Sequence, residues 1–452
     1  MTFLKAIKNF VVSITVILLT ASIFSHLHYG DDFRLVSPAV IEWLKKNAVP
    51  FDTSDPGYHH HDLMFLKDMI GDARIVSLGE ATHGTSEFFQ MKHRILRFLV
   101  KEMGFTLFGI EATWPESNLV NDYVHSGMGD PAKLLAGLHF WTWNTQEVLD
   151  MILWMRSHNE NPKGLPKVSF HGFDMQYPQM AMDNVVNYLK KVDPPEAQRA
   201  EFLYSCFRPY QNRPGDYINA SAETKSECQK NVQEVYDLLK ENQKKYEELS
   251  STKEFAFALQ SARIVIQGED VFSGRYNPEG GRDRYMAENV TWLLEQSGPD
   301  SKIVLWAHNA HVSTAAYNYD PMGKFLREKY QEQMVIFGFS FFQGSFNAVS
   351  YSFRTRQYGY KIVHQASIPT EDSYEYRLRL ADMPFLFLDL RGIDFYSEAA
   401  GWLAGPLNFR SIGAIYDDST PLMFFSRKEL PKEFDVIIYF QDTSPSILLP
   451  FY

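Results

Sequence analysis

The sequence predicts an α/β protein: a mostly parallel central sheet flanked by helices, with a helical insertion. Three features lead there. Short apolar runs, Arg74-Ile75-Val76-Ser77-Leu78, Phe105 to Ile110, Lys167 to Phe173 and Lys302 to Ala307, each stop at residues bearing carboxylates or imidazoles. The first two runs are separated by a single stretch of helical spacing, the length of a crossover between parallel strands. From about Met180 to Asp270 the pattern changes to apolar residues at helical spacing among many Lys, Glu and Gln, which reads as inserted helices.

In chain order, Lys5 and Lys8 precede a mostly apolar run from Phe10 to Phe24, the layout of a secretory signal. That run is short for a spanning helix, and no clean Ala-x-Ala site follows it, so cleavage and anchoring both stay open. Residues 1–25 are thus a signal peptide or N-terminal anchor, 38–180 the first half of a catalytic α/β portion, 181–270 the helical insertion and 271–452 its second half. The localisation expected is extracytoplasmic, periplasmic or secreted, with the membrane touched only through an uncleaved N-terminal segment.

Val40 to Lys46 has the pattern of a short amphipathic helix, and Tyr58-His59-His60-His61-Asp62 leads into another through Leu63, Leu66 and Ile70. Three adjacent histidines invite a metal, but consecutive side chains point apart, which favours a solvated linker. Ser86 is placed to cap a helix from Glu87 to Met103, closed by Gly104. At about 100° per residue, Lys92 falls inside the apolar arc between Phe88 and Ile95. It either snorkels to water along its stem or turns toward a carboxylate.

After Glu111 come Trp114, a helix toward Tyr123, and the aromatic cluster Leu138-His139-Phe140-Trp141-Thr142-Trp143 before a helix capped near Asn144 or Thr145. Such aromatics fill core or line a pocket. Gly280-Gly281-Arg282 opens a helix through Leu294, and apolar runs at Met334–Phe339, Pro384–Leu388 and Phe434–Phe440 are candidates to complete the sheet. Cys206 and Cys228, the two cysteines, enclose a loop rich in Pro, Asn and Gly; in an oxidising compartment they pair, and otherwise they stay as buried thiols.

At 452 residues, 45% hydrophobic and 15% aromatic, the chain can bury a large core, and its formal net charge of −11 argues against nucleic acid as a partner. The monomer is the expected state.

In open α/β sheets, ligands bind beyond the carboxyl ends of the strands. Here those ends carry Glu80, His83, Glu111, Asp174, His308 and His311. The nucleophile elbow G-x-S-x-G, the phosphate-cradling P-loop and the H-E-x-x-H zinc helix are all missing from the sequence. What remains is water chemistry, in which an imidazole held by a carboxylate takes a proton from water. His83, Glu80, Glu111, His308 and His311 are the candidate catalytic residues; Lys92, Asp174, Arg282, Trp114 and Trp143 are candidates to bind substrate. No cofactor is required. The alternative is a divalent ion on Glu80, His83, Glu111, His308 and His311, and a third reading is a non-catalytic extracytoplasmic ligand-binding protein.

The string Leu78-Gly79-Glu80-Ala81-Thr82-His83-Gly84, with Ile110-Glu111-Ala112, Trp143-Asn144-Thr145-Gln146-Glu147 and Ala307-His308-Asn309-Ala310-His311, resembles the erythromycin esterase family from about Asp62 to Ser313. The resemblance implies a hydrolase that opens the lactone ester of macrolide antibiotics, and so an antibiotic-resistance activity, on an α/β scaffold with a helical portion. It further implies His83 as general base, Glu80 and Glu111 as positioning groups, and His308 and His311 as groups that bind or protonate ester oxygens. Two departures stand out: Lys92 sits where those esterases carry an Arg, and the N-terminal segment points out of the cytoplasm, where those enzymes act. The expected substrate is a small-molecule ester or lactone.

Overall fold

The computed structural model describes residues 37–451 except 162, 163, 212, 276, 278, 279 and 318; the expected signal segment, 1–25, lies outside them. Among the described residues no helix is long and apolar enough to cross a membrane. The chain divides into two compact units, one formed by Ala112–Leu119 and Gly172–Asn289, the other by the remaining described residues.

The larger unit holds the sheet apart from residues 112–113 and 172–174, the ends of two strands. Its strands, in chain order, are β1 (Val49–Pro50), β2 (Ile75–Leu78), β3 (Leu107–Thr113), β4 (Ser169–Asp174), β5 (Ile303–Trp306), β6 (Met334–Ser352), β7 (Gln357–Gln365) and β8 (Phe385–Asp389). They are followed by β9 (Leu407–Arg410), β10 (Ile415–Tyr416), β11 (Phe425–Lys428) and β12 (Val436–Thr443). The spatial order is β1-β8-β12-β6-β2-β5-β3-β4, with β7 and β10 added to β6, while β9 and β11 form a separate ribbon. β2 runs parallel to β5 and β6, β5 parallel to β3, and β6 parallel to β12; β8 is antiparallel to β12. The central strands are buried on both faces, as parallel strands covered by helices must be, which is why they read as unbroken apolar runs.

Register places the chemistry. Leu78 and Trp306, the last residues of β2 and β5, pair with each other, and Trp306 also pairs with Ile110 within β3. Glu80 follows Leu78 by two residues, His308 follows Trp306 by two, and Glu111 follows Ile110 by one. Three strands therefore deliver these groups to one edge.

The crossover from β2 to β3 is the helix Ser86–Met103, with Gly104 in the left-handed conformation (φ 72°) that closes such a helix. Thr85, not Ser86, occupies the N-cap. The Ser86 hydroxyl instead donates to Glu147 at 2.6 Å. Glu147 also accepts from the Ile447 amide at 3.1 Å, so a buried carboxylate ties the C-terminal segment to two helix starts. Propensity favours a serine cap, but tertiary hydrogen bonding captured this hydroxyl.

The smaller unit is helical. Gln179–Val192, Pro194–Tyr204, Ala222–Glu241 and Thr252–Ser273 pack on one another, burying Val185, Leu189, Val232, Val235 and Leu239. Cys206 and Cys228 are joined by a disulfide, with Cα atoms 5.5 Å apart. The expected insertion, 181–270, lies inside this unit.

Candidate active site

The turn after β2 is built to hold a carboxylate still. Glu80 is fully buried. Its Oε1 receives His83 Nδ1 at 2.6 Å, and its Oε2 receives both the Trp306 indole N–H at 2.8 Å and the Lys92 ammonium. Burial alone would raise the Glu80 carboxyl, but Lys92 and His83 outweigh it and hold the group below the ordinary carboxylate range. Burial pushes Lys92 down to about 8 against the pull of Glu80. Lys92 does not snorkel: it is wholly buried, with its ammonium 4.3 Å from the Trp306 ring centre and 5.3 Å from that of Phe339.

Because Nδ1 of His83 is committed to a carboxylate, it carries the proton and leaves the lone pair on Nε2. The ring retains some exposure, 13% for the side chain, and rests edge-on to Trp143, with centroids 5.7 Å apart. An imidazole so held has a free ring nitrogen that can accept a proton. Two glycines make the turn possible. A Cβ on Gly79 would lie 2.1 Å from Asn309 Oδ1, and one on Gly84 would lie 2.1 Å from the Asn347 carbonyl oxygen.

Opposite stands the second carboxylate. Glu111 Oε2 accepts the His308 backbone amide at 3.0 Å, and Oε1 lies 3.3 Å from His311 Nε2. The His83 and His308 rings are 5.0 Å apart. Glu80, His83, Lys92, Glu111, His308 and His311 thus form one cluster in the larger unit.

The two later histidines differ in role. His308 uses both ring nitrogens: Nδ1 accepts the Ala310 amide at 3.1 Å as the cap of the helix Asn309–Val312, and Nε2 donates to the Ile412 carbonyl at 3.1 Å. Burial, reinforced by His83, drives its pKa down to about 3. It is a neutral frame for the turn, whereas His311, 15% exposed at its side chain, faces Glu111.

Asp174 and Arg282 belong to the smaller unit, where they hold each other: Arg282 Nη2 donates to Asp174 Oδ2 at 2.7 Å, and Gln176 and the Met175 amide complete the carboxylate's partners. Trp114, 2% exposed, packs against Phe257 with centroids 5.0 Å apart. Trp143, 1% exposed, spends its indole N–H on the Glu111 carbonyl at 2.8 Å. Both tryptophans are core. The group that sequence reasoning missed is Trp306, an aromatic inside an apolar run, where only the three-dimensional pairing marks its N–H as an anchor.

The five residues named for a metal do not suit one. Glu80, fully buried, already takes His83 on Oε1 and both Trp306 and the Lys92 ammonium on Oε2, and His308 has no ring nitrogen to give. Among the described residues, three metal-ligating side chains converge within 4.8 Å at one place, His59, His61 and Asp62, and not in this cluster.

The family model described as Erythromycin esterase matches residues 100–443. The chain belongs to the erythromycin esterase family. It is 26% identical to erythromycin esterase type II of Escherichia coli, over 90% of this chain and 98% of that protein. It is 24% identical to the putative hydrolase YbfO of Bacillus subtilis, over 90% of this chain and 92% of that one. Among solved structures, a succinoglycan biosynthesis protein aligns with a TM-score of 0.78 and 26% identity, covering 93% of this chain and all of that one. A mutant of the erythromycin esterase EreC in its open conformation aligns with a TM-score of 0.66 at 16% identity, over 88% of this chain and 98% of that one, a likeness of fold. This family makes the protein a hydrolase of small-molecule esters or lactones.

Proposed function

We propose that the chain is an exported hydrolase that opens a carboxylic ester or lactone with water activated by His83. The observation that carries this is the buried Glu80 carboxylate holding His83 Nδ1 at 2.6 Å. Nε2 takes a proton from water as the water oxygen attacks the acyl carbon, and Glu80 stabilises the imidazolium that forms. Lys92 and Trp306 keep Glu80 ionised and fixed. The tetrahedral intermediate collapses by breaking the acyl carbon–alkoxy bond. The alkoxide regains the proton through His83 or His311, giving a carboxylic acid and an alcohol. His311, oriented by Glu111, faces the ester oxygens, and His308 holds the turn that presents it.

The names of the E. coli relative and of EreC favour a macrocyclic lactone as one substrate to try. Export is favoured by the charged and apolar start of the chain and by the Cys206–Cys228 disulfide, which suits an oxidising compartment. The protein acts as a monomer without a metal cofactor.

The test is hydrolysis of a panel of simple esters and macrolides by the purified chain, with and without chelator. Turnover that chelator leaves intact supports this reading. Turnover abolished by chelator and restored by one ion would replace it with metal-assisted hydrolysis. Ligand binding without any turnover would make the chain a binding protein of esterase ancestry.

A further inference from the structure

The histidine triplet stands apart from the chemistry above. His60 turns inward, its ring 5.9 Å from that of Phe98. His59 and His61, two residues apart, turn back to face each other, with ring centroids 3.9 Å apart and the two Nδ1 atoms in direct contact. Asp62 adds a carboxylate, and the three ligand atoms lie within 4.8 Å of one another. On one tetrahedral zinc ion, nitrogen and oxygen ligands sit about 3.3 Å apart, so small rotations of two exposed imidazoles complete the set.

The loop beneath is rigidly held. Arg94, fully buried on the Ser86–Met103 helix, donates to the Thr53 carbonyl at 2.6 Å, the His59 carbonyl at 2.8 Å and Asp62 Oδ1 at 2.5 Å. One guanidinium thus positions both the backbone of one ligand and the carboxylate of another. Arg97 holds the Pro56 carbonyl, and Asp62 Oδ2 accepts the Asp52 amide at 3.0 Å. On the far side of His61, Asp52 Oδ2 faces Nε2 at 3.6 Å.

We propose that His59 Nδ1, His61 Nδ1 and Asp62 form a zinc-class divalent metal site that closes the turn 59–62, which Arg94 ties to the Ser86–Met103 helix, and takes no part in hydrolysis. Imidazole and carboxylate ligands suit Zn²⁺. With three protein ligands and water in the open position, the site binds reversibly.

The experiment uses the full chain without a histidine tag, stripped with chelator and titrated calorimetrically with Zn²⁺. The expected result is one ion per chain and a raised melting temperature. His59→Ala/His61→Ala abolishes both, whereas His60→Ala and His83→Ala leave both intact. Co²⁺ bound to the wild-type chain gives the visible absorption of a nitrogen-ligated tetrahedral ion, a readout independent of any variant's folding. No uptake by the wild type, or uptake unchanged in the double variant, overturns the proposal. Ester hydrolysis at an unchanged rate in stripped enzyme and in the double variant separates this outcome from the water-activation mechanism, which stands or falls by His83.

Discussion

The Lys92 ammonium and the His83 imidazole are bound to the two oxygens of the same buried carboxylate, Glu80. Lys92 is therefore the counter-charge that lets an ionised Glu80 exist where water is excluded. Removing one partner of such a pair leaves a bare buried charge, at a cost of about 3–5 kcal/mol. Lys92→Met should destabilise the chain by roughly that amount in urea titration. Lys92→Met/Glu80→Gln should recover part of the loss. Additive losses would mean that the two groups are not coupled.

The same pair sets an alkaline limit. Lys92 is pushed by burial down to about 8, so the ammonium is lost as pH rises past that value and Glu80 is left unbalanced. kcat/KM for an ester should fall above about pH 8. Arginine stays protonated throughout this range, so an active Lys92→Arg enzyme should lack that limb. An unchanged limb in Lys92→Arg would assign it to another group.

Acid lability has a separate source. Burial, then Arg97, lowers His93 to about 3, and burial, then His83, lowers His308 to about 3. Between about pH 6.5 and 3 the unfolded chain holds protons at these positions that the folded chain lacks. Stability is thus greatest above pH 6.5 and declines as pH falls, by up to about 1.4 kcal/mol per pH unit for each group. Glu80, held below the ordinary range, adds a loss of the same sign at lower pH. Among the described residues, neither ring nitrogen of His93 has a hydrogen-bond partner. His93→Phe should remove one proton from this uptake and flatten the loss of stability between pH 7 and 5. A slope identical to wild type would contradict the assignment.

Gly84 has no room for a side chain, since a Cβ would meet the Asn347 carbonyl oxygen at 2.1 Å. That oxygen is backbone, so the turn carrying His83 has to move. Gly84→Ala should cost about 1–3 kcal/mol and reduce kcat far more than Gly413→Ala, at a half-buried glycine whose Cβ would meet no described atom within 4 Å. Equal activity in the two variants would remove the claim of a close-packed turn.

Much of this site could be read from the sequence because its logic is local. Apolar runs ending in Glu80, Glu111 and His308 mark strands with loaded ends, and the helical period alone put Lys92 on the wrong face for a solvated cation. What stayed hidden depends on pairing between distant segments. Trp306 looks like core until register sets it beside Leu78. His308 looks like a ligand until the Ile412 carbonyl, about a hundred residues away in sequence, accepts a hydrogen bond from its Nε2. Asp174 and Arg282 read as separate substrate contacts, but they form an ion pair with each other. The histidine triplet reads as a linker because adjacent side chains diverge. His60 does turn away from its neighbours, while His59 and His61, two residues apart, come ring to ring.

The central claim is that His83, oriented by Glu80, activates water. The most direct measurement is kcat/KM of His83→Ala against wild type on the best ester of the panel, with matched circular dichroism. General-base catalysis is worth about 10²–10⁴-fold, so a folded variant should lose at least two orders of magnitude. A folded His83→Ala enzyme within a few-fold of wild type would contradict the account.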